Sequence, residues 1–257
     1  MNEFFGFGGF QRTPEGAYSW QHLLFVTSLM VLMVFLAVFL GKKNKNKLPA
    51  QKNMVLIWAA ILIDGFELIK IVLGCIEDPE SWRTMLPLFL CSIQLIAIPM
   101  AAFTKGRIKE ASLDFVCIFG LLGAVLGTYG AAQNYNAYPV LSFPNVVSGV
   151  THTSSGFAAL YIMISGMEDM KRENIWITFS ILAFFCIAAY TANILLDYNY
   201  MFLMAGDGTP YDILYNLVGG HKVLYPACVV GLFLIYIGIF YGVFYLIKTK
   251  KKQPAAV

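Results

Sequence analysis

The sequence predicts an all-α, polytopic membrane protein with about seven transmembrane helices. Of its 257 residues, 58% are apolar and 13% are charged, against roughly 25% charged in a soluble domain. Too little polar surface remains to coat a water-soluble globule. The apolar residues fall in long blocks, and about 20 in succession cross a bilayer. The basic residues gather in alternate loops, as they do in chains that thread a membrane repeatedly.

The blocks place spans at approximately 19–40, 53–75, 84–104, 112–129, 147–167, 175–197 and 225–247. The first eighteen residues lack a basic head followed by an apolar stretch, so the first span is expected to act as the insertion signal. Charges Asp64, Glu67 and Lys70 interrupt the second span. In the third, Pro87 is expected in the first helical turn, where proline is tolerated, and Pro99 to kink the helix by freeing the carbonyl of Leu95. Glycines 120, 123, 127 and 130 crowd the fourth span, and Gly149, Gly156 and Gly166 punctuate the fifth. Small residues let membrane helices approach closely, so these two are expected to be central. The loops 130–146 and 198–224 are rich in Asn, Tyr, Gly and Pro, which suits turns and short interfacial segments.

Orientation follows from Lys and Arg. Five lie in 41–52, three in 105–111, two in 168–174 and four in the tail, whereas Arg12, Arg83 and Lys222 alone occupy the alternate set. The expectation is a single transmembrane domain over 1–257, with an outer N-terminal segment 1–18 and a cytoplasmic tail 248–257. The five cysteines, at 75, 91, 117, 186 and 228, form no CxxC pair, which argues against a disulfide framework or a zinc site.

Ionisable groups within spans are costly and mark function by default. On this topology His22, Glu67, Lys70, Cys91, His152 and Asn193 fall in the outer half of the bilayer. Cys91 would lie ~10 Å and His152 ~8 Å below the outer surface. One polar cavity at that height accounts for the clustering. Each residue has a plainer alternative. Glu67 and Lys70, three apart, would neutralise each other; Cys91 would be a small buried hydrophobe; His22 would sit at the headgroup level; Gln94 would only donate between helices. His152 lies in Thr-His-Thr-Ser-Ser, and Ser148, His152 and Ser155 share one helical face.

The segment LPLFLCSIQL (86–95) resembles the LPLHLCSISL-type motif of the YwaF-like family of bacterial integral membrane proteins. QHLL (21–24), His152 after Phe143-Pro144-Asn145, and NYMFL (199–203) follow in the family's order, and Glu67 stands where the family tends to place a glutamate. Phe89 replaces the histidine of the bacterial pattern, and Thr153 the usual glycine after His152. The family is similar to the eukaryotic acyltransferase transmembrane protein 164, which uses a cysteine and a histidine on neighbouring helices. It is also related to the androgen-induced-gene lipid hydrolases, whose nucleophile is threonine. The resemblance implies a lipid acyltransferase or hydrolase of the cell membrane, with Cys91 as nucleophile and His152 as base. Gln94 or Asn193 would serve the oxyanion, and His22 and Glu67 would orient the pair. Membrane lipids are the expected substrates or ligands; no metal, organic cofactor or nucleic acid is expected.

A small-solute carrier of the seven-helix type is the alternative, although no internal repeat or Pro-Gln signature is visible. A non-catalytic lipid-binding or sensor protein also stays open. A retinal-type photoreceptor is disfavoured, because 225–247 holds no lysine.

Overall fold

The computed structural model of the chain describes residues 2–7, 9–167 and 170–250. Residues 251–257 of the expected tail, and Glu168 and Asp169 of the loop 168–174, lie outside them. Among the described residues there is no strand, and seven helices have ten or more residues. They are α1 (Trp20–Asn44), α2 (Pro49–Glu77), α3 (Gln94–Phe103), α4 (Gly106–Leu126), α5 (Phe143–Ser165), α6 (Ile175–Leu196) and α7 (Leu224–Lys250). Among the described residues three stretches, Trp20–Asn44, Arg172–Leu196 and Leu224–Ile247, are long and apolar enough to cross a membrane. In α2, the charges of Asp64, Glu67 and Lys70 interrupt the apolar run.

The chain packs as two compact units, Met1–Asp169 and Met170–Val257. In the first, α4 is the central helix: every residue from Ala111 to Gly120 is buried. Glycines set the spacing around it. A methyl group on Gly120 would lie 2.7 Å from the Ser155 carbonyl oxygen of α5. One on Gly156 would lie 2.5 Å from Met33 Sδ of α1 and 2.6 Å from Ala124 Cβ of α4. Backbones that approach this closely have no room for a side chain between them. The opposite face of α1, with Val31, Leu32, Phe35 and Phe39, stays exposed, which suits hydrocarbon rather than water.

Local chemistry sets the helix ends. Ser19 caps α1 by accepting the His22 amide at 3.2 Å. Pro49 opens α2, and Pro144 lies in the first turn of α5, where a missing amide hydrogen costs nothing. α5 stops at Gly166, whose φ of 68° is the left-handed conformation that glycine adopts freely.

The third segment differs from the sequence expectation of a helix over 84–104 with Pro87 in its first turn. Helix begins only at Gln94. A 3₁₀ turn at Ser81–Thr84 gives way to irregular backbone, stitched by Leu88 N–H to the Leu86 carbonyl at 2.7 Å and Ile93 N–H to the Phe89 carbonyl at 3.1 Å. Pro87 supplies no amide hydrogen and disfavours helical geometry at Leu86. Cys91 therefore sits on a turn ahead of a helix. From Gln94 the helix runs through Pro99 to Phe103.

In the second unit, α6 ends at Asp197, in the left-handed conformation with φ 53°. The chain then turns through Tyr200–Phe202, where Met201 and Phe202 have φ of 55° and 56°. Such angles are uncommon outside glycine and asparagine. Asn193 holds this turn: its Oδ1 accepts the Tyr200 amide at 2.6 Å and its Nδ2 donates to the Tyr200 carbonyl at 3.0 Å. Asn199 does the same for the next stretch, accepting from the Met204 amide at 2.9 Å and donating to the Ala205 carbonyl at 2.8 Å. The Tyr225 hydroxyl of α7 donates to the Phe202 carbonyl at 2.7 Å.

Candidate functional site

A partly open cavity of about 370 Å³, its mouth included, lies in the first unit. α2 contributes Glu67 and Lys70, the turn before α3 contributes Cys91 and Ser92, and α5 contributes Ser148, Thr151, His152 and Ser155. The α5 residues share a face because positions three and four apart stack along a helix. Thr151 and Ser155 donate their hydroxyls to the carbonyls of Ser148 and Thr151, at 3.1 and 2.9 Å. Their oxygens remain able to accept.

Lys70 Nζ and a Glu67 carboxylate oxygen are 2.5 Å apart on one face of α2, so the cavity wall carries a compensated ion pair. The Ser92 hydroxyl and the backbone amides of Cys91 and Ser92 face the Cys91 sulfur. This follows from the break in helix: amides in an irregular turn are not committed to a carbonyl four residues back.

The C-terminal end of α4 lies against two of the cavity residues, Cys91 and His152. Gly123 and Gly127 are one turn apart on one face, about 5–6 Å between successive positions. A methyl group on Gly123 would lie in ordinary contact with Cys91, 3.6 Å from its Cβ. One on Gly127 would overlap the His152 ring, at 2.2 Å from Nδ1 and 2.3 Å from Cε1. The two glycines thus back Cys91 and His152 from successive turns of α4. Among the described residues no hydrogen bond joins thiol to imidazole, and no three His, Cys, Asp or Glu side chains converge on a metal site.

The remaining sequence candidates lie elsewhere. His22 is fully buried. Its Nδ1 accepts the Tyr18 amide at 2.9 Å, which leaves the proton on Nε2 to donate to the Thr128 carbonyl at 3.2 Å. Its ring lies 3.8 Å from that of Tyr135. With both nitrogens occupied, His22 ties the start of α1 to the end of α4 rather than lining the cavity. Gln94 is buried with neither side-chain polar atom hydrogen-bonded. It is not on the cavity wall. Asn193, in the second unit, has its amide committed to Tyr200.

In the sequence Gly123 and Gly127 signal close helix packing, and nothing marks Ser92 or Thr151 as cavity residues. The four-residue glycine spacing was the visible signal for this backing.

The TMEM164 family model matches residues 17–249. No curated protein and no solved structure matches the chain. The match takes in α1 through nearly all of α7, with the cavity inside it, and the apolar helices agree with it: the chain is a membrane protein and belongs to the TMEM164 family.

Proposed function

We propose that this protein transfers fatty acyl groups between membrane lipids, with Cys91 as nucleophile and His152 as general base. The observation that carries the reading is that both side chains line one polar cavity, each against a glycine of α4 and the two glycines one turn apart. A thiol is mostly protonated at neutral pH and needs a proton acceptor to become a nucleophile. His152 accepts that proton. The sulfur attacks the ester carbonyl, and the Cys91 and Ser92 amides donate to the oxyanion that forms. Collapse breaks the ester C–O bond, and the departing lipid oxygen takes the proton from His152. A hydroxyl of a second lipid then attacks the thioester, yields its proton to His152, and releases the thiol as the new ester forms. Water in place of that hydroxyl gives hydrolysis.

Lys70, held by Glu67, is the group suited to an anionic headgroup, and the hydroxyls of Ser148, Thr151 and Ser155 complete a polar wall. Gln94 and Asn193 have no part in this scheme. We place the protein in the cell membrane as a multi-pass protein, N-terminus outside and cavity in the outer leaflet, on the distribution of Lys and Arg. The polar wall also suits a solute carrier or a lipid sensor, which would use the cavity without covalent chemistry.

The deciding experiment is labelling with a lipid-like thiol electrophile in the intact membrane. Cys91 is expected to label ahead of the half-buried Cys75 and Cys228. His152→Ala is expected to slow that labelling at least tenfold without unfolding the protein. Labelling spread evenly over the cysteines, or indifferent to His152, would overturn the reading in favour of transport or sensing.

A further inference from the structure

Gly127 occupies the C-cap position of α4 with φ −78° and ψ −5°. Any residue adopts that right-handed conformation, so the backbone does not require glycine there. A C-terminal glycine usually serves a left-handed turn, and Gly127 does not make one. The space around it explains it instead. The three atoms nearest to a methyl group at this position would all belong to the His152 ring, at 2.2, 2.3 and 2.5 Å. The imidazole lies directly over the Gly127 Cα.

The surrounding backbone is fixed. The Gly127 amide donates to the Gly123 carbonyl at 2.8 Å. The next hydroxyl along, Thr128 Oγ1, donates to the Ala124 carbonyl at 2.6 Å. The Thr128 carbonyl accepts from His22 Nε2 at 3.2 Å. A buried histidine, bonded at both nitrogens, therefore holds the carbonyl of the residue that follows the seat of a second histidine.

We infer that Gly127 is a positioning residue for the reaction: its missing side chain seats the His152 imidazole beside Cys91, and His22 pins the seat. The inference rests on the acyl-transfer reading for its catalytic meaning and on contact geometry for the seat. A 1 Å displacement of a reacting group lowers rates by orders of magnitude, so one added methyl group is enough to separate base from thiol.

The test is a cycle of Gly127→Ala, His152→Ala and the double variant, in the full chain. Gly65→Ala, whose methyl group would meet nothing within 4 Å, is the control. Each variant is read by the rate of Cys91 labelling with the lipid-like electrophile and by Tm in detergent. Gly127→Ala is expected to slow labelling about as much as His152→Ala, and to lower Tm by ~2–10 °C through overpacking. In the double variant the ring is gone, so Tm should return to that of His152→Ala or above it, with labelling no slower than in that single variant. A merely structural glycine would leave the double variant as unstable as Gly127→Ala, and that result would overturn the inference. So would wild-type labelling in Gly127→Ala. If Gly127→Ala alone fails to fold, recovery of a folded double variant supports the seat, and failure of both removes it. The two readings fail separately: labelling indifferent to His152→Ala sinks the acyl-transfer mechanism, whereas the Tm cycle reports the seat whatever the chemistry.

Discussion

Glu67 and Lys70 are the only oppositely charged pair among the cavity-lining residues. Removing either partner strands the other charge. Glu67→Gln and Lys70→Met are each expected to cost about 3 kcal/mol or less, the low end for a buried pair, because the side chains keep partial access to the cavity. The double variant should regain most of that stability. If the pair also receives the lipid headgroup, the double variant will fold yet transfer no acyl chains; full transfer activity would remove both residues from the mechanism. At this scale the sequence was partly legible. Glu67, Lys70, Cys91 and His152 stand out because polar groups are costly inside an apolar block. His22 and Asn193 stand out for the same reason, yet they bond backbone groups. Cost marks a residue as needing partners and does not say which. Gln94 is the converse, buried with its amide unpartnered, and Gln94→Leu or Gln94→Met is expected to be neutral or stabilising by about 1–2 kcal/mol in thermal denaturation, since it removes that penalty.

Among the elements, the long apolar blocks located α1, α2, α4, α5, α6 and α7. It failed at α3, because irregular backbone and helix can share the same apolar composition when both are covered by neighbours. The turn after α6 was legible only as polar and tyrosine-rich; nothing in NYMFL announces that Met201 and Phe202 are left-handed. Asn193 sustains that strain. Asn193→Ala strands the Tyr200 amide and carbonyl, and is expected to cost about 2–4 kcal/mol, measured as loss of Tm. The N-terminal segment offers a pH test. Glu15 accepts the Val140 amide at 2.8 Å and pairs with Arg12, while Ala17 N–H donates to Asn136 at 2.8 Å. Partial burial would raise the Glu15 carboxyl, but the Val140 amide and the Arg12 guanidinium outweigh it and hold the group below its ordinary value. Its contribution is therefore present above that ordinary value of 4.5 and lost as the pH falls through the lower folded one. Hydrogen-exchange protection of the Val140 amide should drop on acidification below pH 4.5, and Glu15→Gln should abolish the pH dependence. Unchanged protection in both would show that Glu15 does not hold the N-terminal segment to Val140.

For the whole molecule, the orientation argued from basic residues makes a binary forecast. A reporter active only outside the membrane should work near residue 138 or 210 and fail near 46, 107, 170 or 255; activity at 46 or 255 would reverse the topology. Family and class were legible because composition and ordered motifs extend along nearly the whole chain. A polar cavity with Glu67, Lys70, Cys91 and His152 was legible from their clustering, but its backing by Gly123 and Gly127 was not, because glycines carry no chemistry of their own. The irregular turn at Leu86–Ile93 has a bearing on product chemistry. Backbone without regular pairing persists at membrane depth only where protein or water meets its polar groups, and the Cys91 turn borders an open cavity. On the acyl-transfer proposal, water entering the open cavity would meet the thioester on Cys91, and each intermediate would face a branch point between an incoming lipid and a water molecule. The ratio of free fatty acid to remodelled lipid becomes a property of this turn, and tracing oxygen-18 from labelled water into the released acid measures it.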